Sequence, residues 1–192
     1  MFSKDGRIKL IGIGIARRYA TALFKVGLED NKVEEYGKEL KEITDFLEAN
    51  KDLKSYLITP LFEKSLRKQV LETILEKANL SEIMKRFLTL LFDKKRLLYL
   101  KDIFNYYATL LDEYKGICRA ELISAVSLTD DVLEAIKARL KEVTGKKEVV
   151  LEIKEDPQLI GGVVTKIGDM VYDGSIRRQL NILKENLKRG EV

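Results

Sequence analysis

Apolar residues recur three and four positions apart through most of the first 115 residues, a spacing that predicts successive amphipathic helices. The second helix shows it best, because Val33, Tyr36, Leu40, Ile43 and Leu47 form one narrow seam. The predicted helices cover roughly residues 16–28, 33–47, 53–58, 60–78, 81–92 and 100–114.

Two helix starts are marked by capping residues. Thr59-Pro60 offers a hydroxyl for the free N–H groups and a proline that the first helical turn tolerates, so it predicts a start there. Ser81 predicts the next start. In the helix after Pro60, Leu66, Val70, Ile74 and Ala78 repeat every four residues, which supports a helix there.

After Gly116 the apolar period changes to two, which indicates a strand in which Cys118, Ala120, Leu122 and Val126 face one side. A helix opens at Thr129 and ends at Gly145, with Ile136, Leu140 and Val143 as its apolar face. Further strands are predicted at residues 149–153, 163–167 and 170–172, and a last helix from Ser175.

These elements predict a mainly α protein with a small α/β part. Residues 1–115 are expected to form a helical bundle, with residues 1–14 as a possible extension. Residues 116–192 are expected to form an α/β domain with a short sheet and two helices.

Composition narrows the possible chemistry. The chain has no histidine, which excludes imidazole catalysis and histidine metal ligands, and its single cysteine, Cys118, cannot complete a disulfide or a cysteine metal site. Gly12-Ile13-Gly14 lacks the third small residue of a dinucleotide fingerprint, and Gly145-Lys146 lacks the rest of a phosphate loop. We therefore expect no enzyme activity, no cofactor and no metal.

The net charge of +4 is mild and lies entirely in the first 115 residues. Acidic residues are interspersed among the basic clusters, so nucleic-acid binding is not expected. The apolar run at residues 11–15 is far shorter than a membrane span and instead predicts an amphipathic lead-in to the first helix.

Binding of a partner helix is a stronger candidate. The small residues Ala20 and Ala22 beside Tyr19 and Leu23 would allow another helix to approach closely, and the helix after Ser81 is apolar on several sides. The same faces would serve equally well as ordinary core, and periodicity alone does not separate the two.

Two segments resemble the delta subunit of bacterial ATP synthase and its mitochondrial relative, the oligomycin-sensitivity-conferring protein. The first is the run from Ala16 to Phe24, and the second combines Leu159-Ile160-Gly161-Gly162 with Asp173-Gly174-Ser175-Ile176. In the second segment, the glycines permit a sharp entry into a strand, and Asp173 and Ser175 can cap the last helix, so this motif has a structural interpretation.

The resemblance implies a non-catalytic stator subunit of a proton-translocating ATP synthase, present in one copy. Its N-terminal domain would be a six-helix bundle that binds the N-terminal helix of an alpha subunit, and its C-terminal domain would bind the C-terminal end of the b subunits. The implied contacts to the alpha subunit involve Tyr19, Ala22, Leu23, Val26, Phe87, Leu88 and Leu91.

The resemblance also implies a location on the cytoplasmic face of the bacterial inner membrane, reached only through the complex. The alternative is an RNA-binding helical regulator, since the antitermination factor NusB has a similar bundle. That alternative leaves the segment from Gly161 to Leu180 unexplained.

Overall fold

The computed structural model describes residues 4–168 and 170–189, and for residues 4–11 and 189 it describes only the backbone. Eight α-helices and four β-strands lie in this described part of the chain. The chain divides into two units, residues 1–111 and 112–192. The coarse prediction of a mainly α protein with a small α/β part is confirmed.

The first unit is built from α-helices around one hydrophobic core. Val33, Tyr36, Leu40, Ile43 and Leu47 are all buried in it, as the seam of the second helix predicts. The helices are α1 (Lys4–Glu29), α2 (Val33–Ala49), α3 (Lys51–Ile58), α4 (Lys64–Lys77), α5 (Glu82–Asp93) and α6 (Leu100–Lys115), with a 3₁₀ turn at Leu97–Tyr99.

The first helix begins earlier than residue 16. Residues from Lys4 onward belong to α1, so the lead-in extends the helix. Gly12 lies against Tyr99, and a Cβ at this glycine would stand 3.1 Å from the tyrosine ring. The absence of a side chain at Gly12 therefore lets α1 pack closely on the 3₁₀ turn.

The predicted start of α4 at Thr59-Pro60 is wrong. Thr59 instead ends α3, with its N–H donating to Ser55 O at 2.9 Å, and α4 begins only at Lys64. The residue before a proline is biased towards extended backbone, and Thr59 adopts φ −71° and ψ 125°. This bias separates the two helices.

The four-residue repeat of α4 is not its most buried face. Leu71 and Leu75 are the buried residues, whereas Leu66 is 51% exposed. Val70, Ile74 and Ala78 are only partly buried. The most buried residues thus lie one position after Val70 and Ile74, so the centre of the buried face is offset from the repeat by about one residue.

The second unit contains one four-stranded sheet in the order β2-β1-β3-β4. Strand β1 pairs parallel with β2, so a crossover is required, and α7 provides it. Strand β3 is antiparallel to both β1 and β4. The elements are β1 (Ile117–Ser124), α7 (Asp130–Thr144), β2 (Glu148–Glu155), a 3₁₀ turn (Pro157–Leu159), β3 (Val163–Ile167), β4 (Met170–Asp173) and α8 (Ile176–Arg189).

One face of the sheet packs on α7, with Cys118, Ala120 and Val149 against Leu140. The opposite face carries ion pairs, such as Lys154 Nζ to Glu121 Oε1 at 2.8 Å. The alternation predicted from residue 118 is thus confirmed as far as Leu122, which is buried.

Two expected core positions in this unit are exposed. Val126 is 66% exposed because β1 ends at Ser124, before the predicted alternation does. Val143 is 55% exposed, one turn beyond Leu140 and close to the end of α7 at Thr144. The backbone of Gly145 adopts φ 65°, the left-handed conformation expected of a glycine that ends a helix.

Candidate binding surfaces

Metal sites and membrane-spanning helices are both absent among the described residues. Among the residues that the structure describes, no group of three or more His, Cys, Asp or Glu is arranged to hold a metal ion. No helix in the same part of the chain is long and apolar enough to cross a membrane.

Helix α1 presents a stripe of partly exposed residues at spacings of three and four. Tyr19 and Val26 are partly buried against the core, and Ala22 between them is exposed. Leu23 is only 2% exposed and belongs to the core. Of the four predicted contact residues on this helix, three therefore have accessible surface.

Helix α5 is more deeply buried than α1. Leu88 and Leu91 are 1% and 0% exposed, and Phe87 is 9% exposed. Leu90, which is 45% exposed, lies three positions after Phe87, and the partly buried Ile83 lies four positions before it. These spacings put Ile83, Phe87 and Leu90 on one side of the helix.

The two helices meet at a pair of aromatic rings. The centroids of Tyr19 and Phe87 are 6.3 Å apart in an edge-to-face arrangement, a favourable geometry for aromatic side chains. We use the term α1/α5 surface for the six residues around this contact: Tyr19, Ala22, Val26, Ile83, Phe87 and Leu90.

Ile83 and Leu90 were not among the predicted contact residues. Their helical spacing from Phe87 was visible in the sequence, but periodicity alone did not reveal that Leu90 is exposed while Leu91 is buried. Leu23, Leu88 and Leu91 form part of the core beside this surface.

The border of the α1/α5 surface is basic. Arg18 and Lys25 are exposed on α1 at spacings of four and three from Ala22, and Arg86 is exposed beside Phe87 on α5. Such a surface favours an amphipathic partner helix with a small apolar face flanked by acidic residues.

The glycines of the C-terminal signature segment allow two stretches of backbone to approach each other. Gly162 adopts φ 81°, and a Cβ there would lie 2.4 Å from Gly174 O. Gly174 N donates to Val163 O at 3.0 Å, and Ile176 N donates to Gly161 O at 3.0 Å. The segment before β3 is therefore hydrogen-bonded to the start of α8.

Asp173 and Ser175 fix the first turn of α8. Ser175 N donates to Asp173 Oδ1 at 2.9 Å, and Arg178 N donates to Ser175 Oγ at 3.2 Å. The hydrogen bonds from Ser175 lower the pKa of Asp173, with a smaller contribution from Arg178. All four signature residues thus have structural contacts, and these contacts determine where α8 leaves the sheet.

Helix α8 exposes an apolar stripe along its length. Ile176, Leu180, Leu183 and Leu187 are 43%, 51%, 55% and 59% exposed, and we call these residues the α8 stripe. Such a row of leucine and isoleucine at helical spacing is typical of a helix that packs on a partner. The basic residues Arg177, Arg178, Lys184 and Lys188 lie at other positions of the helix.

Comparison with known proteins gives a consistent result. Residues 15–187 match the family described as ATP synthase delta (OSCP) subunit. The ATP synthase subunit delta of Desulforapulum autotrophicum is 46% identical over 179 residues, covering 93% of this chain and 97% of that protein. The corresponding subunit of Desulfosudis oleivorans is 48% identical over 177 residues, covering 92% of this chain and 96% of that protein.

A solved structure shares the fold. A chain of the Toxoplasma gondii mitochondrial ATP synthase hexamer superposes with a TM-score of 0.68, covering 90% of this chain and 96% of that one. Its sequence identity is 18%.

Proposed function

We propose that this chain, which belongs to the ATP synthase delta (OSCP) subunit family, binds two different neighbours in the ATP synthase complex, one through each of its two units. The chain is a non-catalytic stator subunit of ATP synthase. The finer proposal assigns residues 1–115 to the catalytic head and residues 116–192 to the peripheral stalk. The observation that carries it is that each unit has an exposed apolar surface on its helices, the α1/α5 surface in the first unit and the α8 stripe in the second.

The head is held by the α1/α5 surface. In this proposal, α1 to α6 act as one six-helix bundle, and the N-terminal helix of an alpha subunit lies along Tyr19, Ala22 and Val26. Ala22 is exposed and small, so a second helix backbone can approach α1 closely at this point. Phe87 and Leu90 line the other side.

The buried members of the predicted site have a supporting role. Leu23, Leu88 and Leu91 have almost no accessible surface, so they fix the positions of Ala22, Phe87 and Leu90 from inside the core. The exposed residues make the direct contacts with the partner. Each leucine-sized side chain that becomes fully buried in the interface contributes roughly 1.5–3 kcal/mol to binding.

Co-sedimentation with a catalytic head that lacks this subunit tests the head contact. We expect Leu90→Asp and Tyr19→Asp to weaken attachment at least tenfold, because a carboxylate would be desolvated against apolar groups. Phe46→Asp is the matched control, because Phe46 is 43% exposed on α2 and Leu90 is 45% exposed on α5. Equal attachment by Leu90→Asp and Phe46→Asp would refute the α1/α5 assignment.

The stalk is held by the α8 stripe, which we assign to the C-terminal end of the b subunits. Four apolar side chains at helical spacing suit packing against another helix. Replacing Leu183 with Glu should abolish binding to a soluble b-subunit fragment and leave attachment to the head unchanged. Val143→Glu is its control, because Val143 and Leu183 are both 55% exposed.

Two attachments give the protein a mechanical role. Proton flow turns the rotor, and the catalytic head has to be prevented from turning with it if torque is to drive ATP synthesis. A link under steady torque needs slow dissociation and hence tight binding, and nanomolar affinity corresponds to about −12 kcal/mol. One copy per complex, on the cytoplasmic face of the bacterial inner membrane and attached through its partners, fits this role.

The RNA-binding alternative receives no support from the comparisons, because the relatives described above are delta subunits. Filter binding with RNA gives a direct test. We expect no retention of RNA at moderate salt, and retention that survives such salt would count against the stator assignment.

A further inference from the structure

A cavity of about 270 Å³ in the helical unit belongs to neither binding surface described above. It is lined by the end of α3, the first turn of α4, the last turn of α5 and the segment that follows α5. Leu57, Phe92 and Leu97 are its buried apolar lining. Lys64, Arg67 and Lys95 are its cationic residues, and we call the whole site the basic pocket.

Arg67 is held in place without being neutralised. Its Nη1 donates to Leu57 O at 3.0 Å and its Nε donates to Phe62 O at 3.1 Å. The guanidinium carbon lies 5.5 Å from the centroid of the Phe92 ring, so the cation also stacks on the aromatic face. Within the described part of the chain, Arg67 forms no ion pair, and its charge remains available to a ligand.

The surroundings of the pocket favour a carboxylate. Lys64 Nζ lies 2.7 Å from Asp93 Oδ1, and the pKa of Asp93 is lowered by this hydrogen bond and by the charges of Lys64, Lys68 and Lys94. Lys95 forms no ion pair with any residue that the structure describes. Glu63 and Glu72 bring back some negative charge, yet the cations remain in excess.

Apolar side chains continue outward from the pocket. Leu61, Phe62, Leu66 and Leu98 are 87%, 47%, 51% and 53% exposed. The ring of Phe62 is held against Tyr56, with the centroids 4.6 Å apart. A ligand that fits this site therefore needs apolar groups as well as negative charge.

We propose that the basic pocket binds an acidic amphipathic peptide segment of a partner protein. One bulky apolar side chain of the segment enters the cavity, and its carboxylates face Arg67 and Lys95. The cavity is slightly smaller than the roughly 300–1,000 Å³ typical of small-molecule sites. This size suits a single inserted side chain, and the exposed leucines beside it accommodate the rest of the segment.

Fluorescence anisotropy with the full chain tests this proposal. The probe is a labelled helix-forming peptide with Phe and Leu on one face and Glu on the other, and its partner probe has Lys in place of every Glu. We expect the acidic probe to bind, with an affinity that falls as salt rises, and the basic probe not to bind.

The variants locate the site. Lys95→Glu should weaken binding of the acidic probe about fivefold, because it replaces a screened attraction by a repulsion. Lys38→Glu makes the same charge change at an exposed position of α2 and should leave the affinity unchanged. Circular dichroism of each variant establishes that its helix content is preserved.

Three results would overturn the proposal. The first is equal binding of the acidic and basic probes. The second is a loss of binding in Leu90→Asp but not in Lys95→Glu, which would put the probe on the α1/α5 surface. The third is Lys95-dependent binding to phosphatidylglycerol vesicles without Lys95-dependent binding of the acidic probe, which would make the pocket a lipid contact.

Discussion

Gly162 occupies a position where backbone conformation and space both exclude a side chain. Its φ of 81° is in the left-handed region, and Gly174 O lies 2.4 Å from the place of a Cβ. The obstructing atom belongs to the backbone beside Ser175, so it cannot rotate away as a flexible side chain could. The glycine therefore controls how closely β3 and α8 approach.

We expect Gly162→Ala to lower the free energy of unfolding of the C-terminal unit by about 3 kcal/mol, from the unfavourable φ and the overlap together. Gly145→Ala is the control, because its φ is 65° and nothing lies within 4 Å of its Cβ position. It should cost only about 1 kcal/mol. Urea denaturation measures both, and equal losses would show that the close approach does not matter.

The predicted contact residues on α1 show how much of the candidate site could be predicted from the sequence. The stripe containing Tyr19, Ala22 and Val26 could be predicted from spacing, but Leu23 shares their apolar character and is buried. The side chains of adjacent helical residues point in directions that differ by about 100°. A small error in the predicted rotation of the helix therefore assigns a buried residue to the surface, or an exposed residue to the core. Only the packing of neighbouring helices determines that phase.

Two helix starts in this chain differ in how they are capped. At α5, Ser81 Oγ accepts from Met84 N at 3.3 Å and donates to the buried Glu39 Oε2 at 2.7 Å. Ser81 N also donates to Glu39 Oε1 at 3.0 Å, so a carboxylate of α2 is bound at the start of α5. At α7, Thr129 is the N-cap residue but its side chain makes no capping hydrogen bond.

We expect Ser81→Ala to lower the free energy of unfolding of the helical unit by about 2 kcal/mol, because it removes a cap and leaves the buried Glu39 with one donor fewer. Thr129→Ala should cost no more than about 0.5 kcal/mol, since no hydrogen bond is lost. Chemical denaturation of the two variants compares them. A similar cost at both sites would contradict the role of Glu39.

Sequence signals for whole elements were more reliable than those for their ends. The seam of α2, the cap at Ser81 and the stop at Gly145 were predicted correctly because each depends on local chemistry. The start of α4 was not, because Thr59-Pro60 is compatible both with starting a helix and with ending one. In this chain Thr59 is the C-cap residue of α3, so α4 begins only after it.

For the whole molecule, the pKa values of the titrating groups predict a broad pH range in which the free energy of unfolding stays constant. Burial, and then the hydrogen bond to Asp30, raise the pKa of Tyr36 to about 12, and burial also raises the pKa of Tyr107. Bound lysines lower the pKa values of Glu48, Asp93, Glu121 and Glu134. No histidine titrates between these groups.

The directions of these pKa shifts determine how the free energy of unfolding should depend on pH. A raised tyrosine pKa stabilises the fold below the unfolded value of 10.0, and this contribution is lost as the pH rises towards 12. Lowered carboxyl pKa values stabilise the fold above the unfolded values, 4.5 for Glu and 3.8 for Asp, and that contribution is lost as the pH falls. Urea unfolding should therefore give a constant free energy from about pH 6 to pH 9. A pronounced slope within that range would contradict the assignment.

The pairing of β1 has a consequence for biosynthesis. Residues that contact each other in the helical unit lie mostly in successive helices. Strand β1 instead pairs with Glu148–Glu155 on one side and Val163–Ile167 on the other, and both partner strands are synthesised after it. A ribosome delivers the N-terminal helices first, and local contacts form fastest. We therefore expect the helices to fold while β1 is still an unpaired strand in the nascent chain, which makes the last third of translation the interval when this protein most needs a chaperone.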